Sequence, residues 1–327
     1  MREPHFWTVT DKRSRASAPV LKLLMTPLSM LYRRAGENRI AKTTPIDAGI
    51  PVICIGNLTL GGAGKTPVTA AVRAYLSRKG ARVASLSRGY RGSLAGPTRV
   101  DALKNTAAEV GDEPLMLAAT GEAWISKDRP AGAQAMKADG VQVAIMDDGH
   151  QNPTLKKSLS IVVIDATNPF GNGHIFPKGP LRERVADGLA RADAVVLMGD
   201  GPVPDALADF KGVVLHAHLA PLASLPPGRY VAFAGIGRPE RFFDSLQAQP
   251  GIELSEAMPF PDHHAFQPSD LSFLMKLSKE RDAQLVTTDK DHVRLPADVK
   301  GRVMRASVEA KFEDEAAFHA LLNRVLA

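Results

Sequence analysis

Gly56-Asn57-Leu58-Thr59-Leu60-Gly61-Gly62-Ala63-Gly64-Lys65-Thr66-Pro67 decides the fold of this chain. Ahead of it, Pro51-Val52-Ile53-Cys54-Ile55-Gly56 has the apolar, β-branched pattern of a buried strand. Behind it, residues 66–79 have helical spacing and stop at Gly80 after the cations Arg78 and Lys79, a good helix end. A strand, a glycine-rich turn, Lys-Thr and a helix form the arrangement that cradles polyphosphate. Glycines let backbone N–H groups approach the anion, and the helix N-terminus adds the positive end of its dipole. Lys65 is placed to meet the β- and γ-phosphates and the Thr66 hydroxyl to bind Mg²⁺. The match to G-x-x-x-x-G-K-[ST] departs at Thr59, which stands where the first glycine belongs, and Gly61, Gly62 and Gly64 compensate with a denser run. Thr59, Gly61, Gly62, Ala63, Gly64, Lys65, Thr66 and Pro67 are the expected nucleotide-binding residues. A purely structural turn has no need of Gly64-Lys65-Thr66 behind a buried strand. Cys54 lies within that strand and reads as plain core.

Similar strand patterns recur at 82–87, 141–146, 160–164, 194–197, 213–216, 230–234, 285–288 and 302–305, several separated by helical stretches. Strands alternating with helices imply βαβ units and an α/β fold, a parallel sheet covered by helices on both faces. The chain has 327 residues, enough for two domains, with 44% apolar and 23% charged residues, which excludes wholesale disorder and a polytopic membrane protein. The single cysteine excludes an internal disulfide and a multi-thiolate metal site, and suits a reducing, cytoplasmic setting. There is no internal repeat. Residues 201–204 and 221–228 are the candidate linkers, and the last helix, with Phe318, Leu321, Leu322 and Val325 on one stripe, is expected to pack on a core.

The net charge of +6 resides in residues 1–42, which carry nine basic residues against three acidic ones. A neutral body with a basic arm argues against a nucleic-acid face and for an anionic partner near the N-terminus, a membrane surface or a charged substrate. Within the arm, residues 18–34 place Val20, Leu21, Leu24, Leu28 and Leu31 at helical spacing between Lys22 and the Arg33-Arg34 pair. Interrupted by Lys22 and Pro27, the run is too short to span a bilayer, and Tyr32-Arg33-Arg34 is no signal-peptide cleavage site. Two readings remain open: a helix lying in the interface of an anionic membrane, or one docked on its own domain.

The strand 141–146 delivers Asp147-Asp148-Gly149 to the carboxyl end of the sheet, where α/β folds bind ligands and P-loop proteins hold metal. Adjacent strand residues point oppositely, so both carboxylates reach one ion only if the strand has already turned. Asp165 ends the next strand and is a weaker case of the same kind, read in preference as a helix cap or turn residue. Asp112, in Gly111-Asp112-Glu113-Pro114, is either a helix cap, the reading that its position favours, or a catalytic carboxylate. Arg182-Glu183-Arg184 is either a phosphate-stabilising fork with a carboxylate or a solvated helix start. His263 and His264 look like a metal pair, but no cysteine or third histidine lies near them in sequence to complete a zinc site.

Taken in order, these strings resemble the tetraacyldisaccharide 4′-kinases of lipid A biosynthesis. To the phosphate loop and Asp147-Asp148-Gly149-His150-Gln151 are added Ser87-Arg88-Gly89-Tyr90 and Val110-Gly111-Asp112-Glu113-Pro114. Asn168-Pro169-Phe170-Gly171-Asn172-Gly173, Gly179-Pro180-Leu181-Arg182-Glu183 and Ala232-Phe233-Ala234-Gly235-Ile236-Gly237 follow. Asp262-His263-His264-Ala265-Phe266 and Thr287-Thr288-Asp289-Lys290-Asp291 complete the set. The resemblance implies transfer of the ATP γ-phosphate to the 4′-hydroxyl of a tetraacylated glucosamine disaccharide 1-phosphate. It implies a P-loop domain over 43–222 and a smaller α/β domain over 223–327 after a basic arm over 1–42. It also implies a protein resting peripherally on the cytoplasmic face of the bacterial inner membrane through the helix at 18–34; a monomer is expected. It reverses the preference at Asp112, which becomes the base for the sugar hydroxyl with His263 as partner. Thr66, Asp148 and Glu183 become the Mg²⁺ shell, Lys65 and Arg182 phosphate contacts, and Asn57, Arg88, Tyr90 and Asp147 substrate contacts.

Three positions depart from the family pattern: His150 where an aromatic is usual, Asn152 where a histidine is common, and Arg184 in place of a proline. Of these, His150 stands closest to altering the nucleotide or lipid pocket. The rival classes are a P-loop ATPase of the partitioning or metal-insertase type and a nucleotide-gated membrane adaptor. The former carries an additional lysine where this chain has Leu60.

Overall fold

The computed structural model describes residues 4–9 and 14–326, so Arg2, Lys12 and Arg13 of the basic arm lie outside the described residues. Its strands are β1 (Val52–Gly56), β2 (Val83–Ser87), β3 (Thr98–Arg99), β4 (Ala123–Ile125), β5 (Val143–Asp147), β6 (Leu159–Asp165) and β7 (Ala194–Met198). They continue with β8 (Val213–Pro221), β9 (Gly228–Ala234), β10 (Ile252–Pro259), β11 (Gln284–Thr288), β12 (Val303–Ala306) and β13 (Val308–Phe312). A nine-stranded sheet runs β13-β8-β7-β6-β1-β5-β2-β4-β3, and a four-stranded sheet runs β10-β9-β11-β12. The large sheet is parallel except at its two edge pairs, β13 with β8 and β3 with β4.

β1 is buried at every position. Ile53 and Ile55 face a core built with Val68, Val72 and Leu76 of the helix Lys65–Arg78, while Val52 and Cys54 face Ala133 and Met136 on the other side. This two-sided burial is why the strand reads as a continuous apolar run. Cys54 is fully buried, as a core residue should be. The helix Lys65–Arg78 starts at Gly64, whose φ of 85° is a left-handed conformation that glycine adopts freely, and a Cβ there would meet the Met198 side chain at 3.0 Å. The parallel register sets Ile55 of β1 opposite Asp147 of β5, so the phosphate loop and the acidic strand end share one edge of the sheet.

All nine strand patterns are present, and four further strands join them. β3 and β4 are too short to carry a pattern, and β10 and β13 are half-exposed strands in which polar residues interrupt the apolar ones. The second unit also differs from the expected 223–327. The four-stranded sheet spans β9 to β12, after which β13 pairs with β8 and the helix Glu315–Leu326 packs Phe318, Leu321 and Leu322 into the core of the large sheet.

The arm forms two helices, Pro19–Leu24 and Thr26–Lys42, broken at Met25. It docks through polar and aromatic contacts: the Ser29 hydroxyl donates to the Ile175 carbonyl at 2.8 Å, and the Tyr32 and Phe176 rings lie 5.2 Å apart. Its apolar face points outward instead, with Val20, Leu23, Leu24 and Leu31 each at least 66% exposed and Lys22 buried.

Candidate active site

The phosphate loop is laced to the segment 179–183. Leu60 N–H donates to the Pro180 carbonyl, Arg182 N–H to the Leu58 carbonyl, and the Arg182 Nε–H to the Thr59 carbonyl at 3.1 Å. That places the Arg182 guanidinium against Asp148, with two parallel bonds of 2.9 and 3.1 Å. Lys65, nearly buried, lies 3.7 Å from the same carboxylate. Burial pushes the Asp148 carboxyl up, but Lys65 and Arg182 outweigh it and hold the group down at about 2.

Asp147 and Asp148 separate because β5 ends between them. Asp148 takes a left-handed φ of 50°, an unusual conformation for a non-glycine residue that costs on the order of 1–3 kcal/mol and is found mostly at functional sites. Asp147 turns inward, accepts a hydrogen bond from the Thr69 hydroxyl at 2.9 Å, and is pushed up by burial and by the charge of Glu113. Glu183 pairs with Arg191 and accepts from Gln151 Nε2 at 2.9 Å. Asn57 is fully buried, and its Oδ1 has no partner among the described residues. Oxygen donors at Thr66, Asp148 and Glu183, an unpaired buried acceptor and a glycine-lined loop fit a hard cation with polyphosphate.

Across the cleft, the four-stranded sheet brings His263 to Asp112. His263 Nδ1 and Asp112 Oδ2 are 2.7 Å apart, and His263 has a φ of 58°. The Arg294 guanidinium reaches the same Oδ2 at 2.8 Å and Asp291 at 2.8 Å, and Lys290 Nζ lies 3.2 Å from His263 Nε2. The helix Asp112–Ala118 is preceded by Gly111, and Asp112 makes no capping bond, which overturns the cap reading. Burial alone would raise the Asp112 carboxyl, but the hydrogen bonds from His263 and Arg294 bring it down to about 2. Because its folded value lies below the ordinary value of about 3.9, this carboxylate stabilises the fold above that pH by roughly 2 kcal/mol. The contribution is lost as pH falls toward 2. Acid titration of an Asp112→Asn variant should therefore lack part of the stability loss that the wild type shows over this window; identical curves would contradict the assignment.

His264 points elsewhere, to Asp270 Oδ2 at 2.8 Å, and sits among Phe260 and Phe266. Tyr90 is exposed with its ring edge-on to His263, and Arg88 is exposed beside it. His150 lies outside the pocket. It is buried beneath Gly56, bonded to the Ser160 hydroxyl and the Gly188 carbonyl, and burial pushes it down to about 4. Arg294 and Lys290 are the site groups that sequence reasoning missed. Their only local signal is the string Thr287 to Asp291, with Arg294 three residues beyond Asp291.

The family model described as Tetraacyldisaccharide-1-P 4′-kinase matches residues 21–327. The chain belongs to this kinase family. It is 56% identical to the tetraacyldisaccharide 4′-kinase of Hyphomonas neptunium, over 98% of this chain and 97% of the relative. It is 49% identical to that of Maricaulis maris, over 100% and 97%. The crystal structure of LpxK from Aquifex aeolicus in complex with ATP superimposes with a TM-score of 0.74 at 25% identity, covering 94% of this chain and all of that one. The chain is a lipid A 4′-kinase with an α/β, P-loop-type architecture, and the rival ATPase and adaptor readings are not favoured.

Proposed function

We propose that the chain moves the γ-phosphoryl group of ATP to the 4′-hydroxyl of a tetraacylated glucosamine disaccharide 1-phosphate, with Asp112 as proton acceptor. The observation that carries this reading is the Asp112–His263 contact at 2.7 Å, which joins the two sheets across the cleft. The hydroxyl oxygen bonds to the γ-phosphorus as its proton passes to the Asp112 carboxylate, and the bond to the departing ADP oxygen breaks. A carboxylate held near 2 is a weak base, so the proton moves late, and His263 chiefly orients it. Lys65 and Arg182 place positive charge at the migrating group. Thr66, Asp148 and Glu183 would hold Mg²⁺, which when bound neutralises polyphosphate charge. Asp148 then shares Arg182 with the nucleotide. Arg88 and Tyr90, both exposed, serve as contacts along the acceptor, whereas Asn57 and Asp147, expected there from the sequence, are buried and not placed to touch it. Given ATP labelled at the γ-position and the disaccharide 1-phosphate, the label should move to the lipid; label found only in water would overturn the reading.

The arm is the membrane contact. No helix among the described residues is long and apolar enough to cross a bilayer, but the outward Leu23, Leu24 and Leu31 with Arg33 and Arg34 suit the interface of an anionic leaflet. We assign the protein, as a monomer, to the cytoplasmic face of the inner membrane. Because the arm also docks against residues 172–180, point changes test this better than truncation. Replacing Leu23, Leu24 and Leu31 together by serine removes about 3 kcal/mol or more of apolar burial. Affinity for phosphatidylglycerol-containing vesicles should drop roughly 10²-fold with the melting temperature unchanged. Retained binding would place the contact elsewhere.

A further inference from the structure

Among the described residues, the ion pairs that cross between the two sheets fall in two groups. One is the Asp112 group with His263 and Arg294. The other gathers on Asp165, at the carboxyl end of β6. Its Oδ2 meets Arg238 Nη1 at 2.6 Å and Arg241 Nη1 at 3.2 Å, both at the start of the helix Pro239–Gln247 of the four-stranded sheet. Arg241 also donates to the Thr167 hydroxyl.

The other oxygen of Asp165 is already committed. Oδ1 accepts from the Thr167 N–H at 3.0 Å and the Thr167 hydroxyl at 2.6 Å, so the carboxylate is fixed on its own strand end before it meets the arginines. The turn reading of Asp165 therefore holds for one oxygen and leaves the second for the partner unit. The Asp165 side chain is 10% exposed, whereas Arg238 and Arg241 are 34% and 52% exposed. An anchored acceptor with two donors that reach solvent is the arrangement of a contact that can be made and released. Arg238 and Asp165 also line, with residues 59–63 of the phosphate loop, a small cavity of about 20 Å³. The parallel order β6-β1-β5 places Asp165 and Asp147-Asp148 on opposite flanks of β1 and its loop.

We propose that Asp165, with Arg238 and Arg241, is an interdomain latch that positions the four-stranded sheet so that His263 meets Asp112. These are positioning residues, acting through the Asp112–His263 pair, and the inference rests on the assignment of that pair. A rigid unit held at one flank alone can rock about that contact, and a second contact across the loop fixes its angle. Two arginines on one carboxylate supply that contact without closing the cleft permanently, because ion pairs whose cations reach solvent are individually weak.

Coupling between variants tests this. Asp165→Asn keeps an Oδ1 acceptor for Thr167 and removes only the charge. In the wild-type background it should lower kcat about 10-fold, with KM for ATP and for lipid within a factor of two. Arg241→Ala should act likewise, and Arg241→Lys should recover part of the loss. In a His263→Ala background the same changes should cost less than twofold, because the contact that they set is already gone. Melting temperatures are read in parallel, to show that every variant is folded. Loss of kcat by the same factor in both backgrounds, or no loss in the wild type, would overturn the latch and leave the role of Asp112 and His263 standing. A His263→Ala enzyme with wild-type kcat would overturn both.

Discussion

Lys65→Ala should reduce phosphoryl transfer by about 10³, on the scale of removing one preorganised donor from a developing anion. The lysine is nearly buried, begins the helix behind the phosphate loop, and has the Asp148 carboxylate 3.7 Å away. A polyphosphate in the loop brings negative charge to a site already holding Asp147 and Asp148, and Lys65 and Arg182 are the protein cations set against it. Losing Lys65 removes that positive charge and one of the cations that hold the Asp148 carboxyl down, while Arg182 stays paired with it. Steady-state kinetics with saturating lipid would show the fall in kcat, and near-wild-type turnover would contradict the role of the loop.

Asp112→Asn should lower kcat by about 10²–10⁴, the span of a lost general base, while KM for ATP stays within a factor of a few. The substitution keeps the size of the side chain and one acceptor oxygen for His263 and Arg294, so the two sheets still meet. Only the proton-accepting charge is gone. A collapse in ATP affinity with kcat preserved would make Asp112 a nucleotide or structural residue.

The core of this fold is legible because its strands are buried on both faces. β1, β5, β6 and β7 are continuous apolar runs whose pattern needs no knowledge of their neighbours. β10 and β13 are hidden for the opposite reason: half-exposed edges mix polar with apolar residues, and what makes them strands is the partner that they meet. The return of β13 to β8 is a long-range pairing that no local signal announces, which is why the second unit appears to run to the C-terminus in the sequence. In the site, the phosphate loop and the Asp147-Asp148 pair are local motifs and can be read directly. Residue type and position favour a cap at Asp112 over a catalytic carboxylate, and only the family resemblance reverses that preference. The physical reason for the reversal is His263, which lies 151 positions away in the chain. Arg294 and the Asp165 contacts are invisible for the same reason, since an arginine in a turn or on a helix start is ordinary until its partner is placed.

The most direct test of the central claim is ADP release measured with and without the acceptor lipid. Proton transfer from a sugar hydroxyl to Asp112 requires that hydroxyl in the cleft, so ADP should form in equal amount to phosphorylated lipid and at negligible rate without it. ADP released at the same rate whether or not the disaccharide is present would contradict the account.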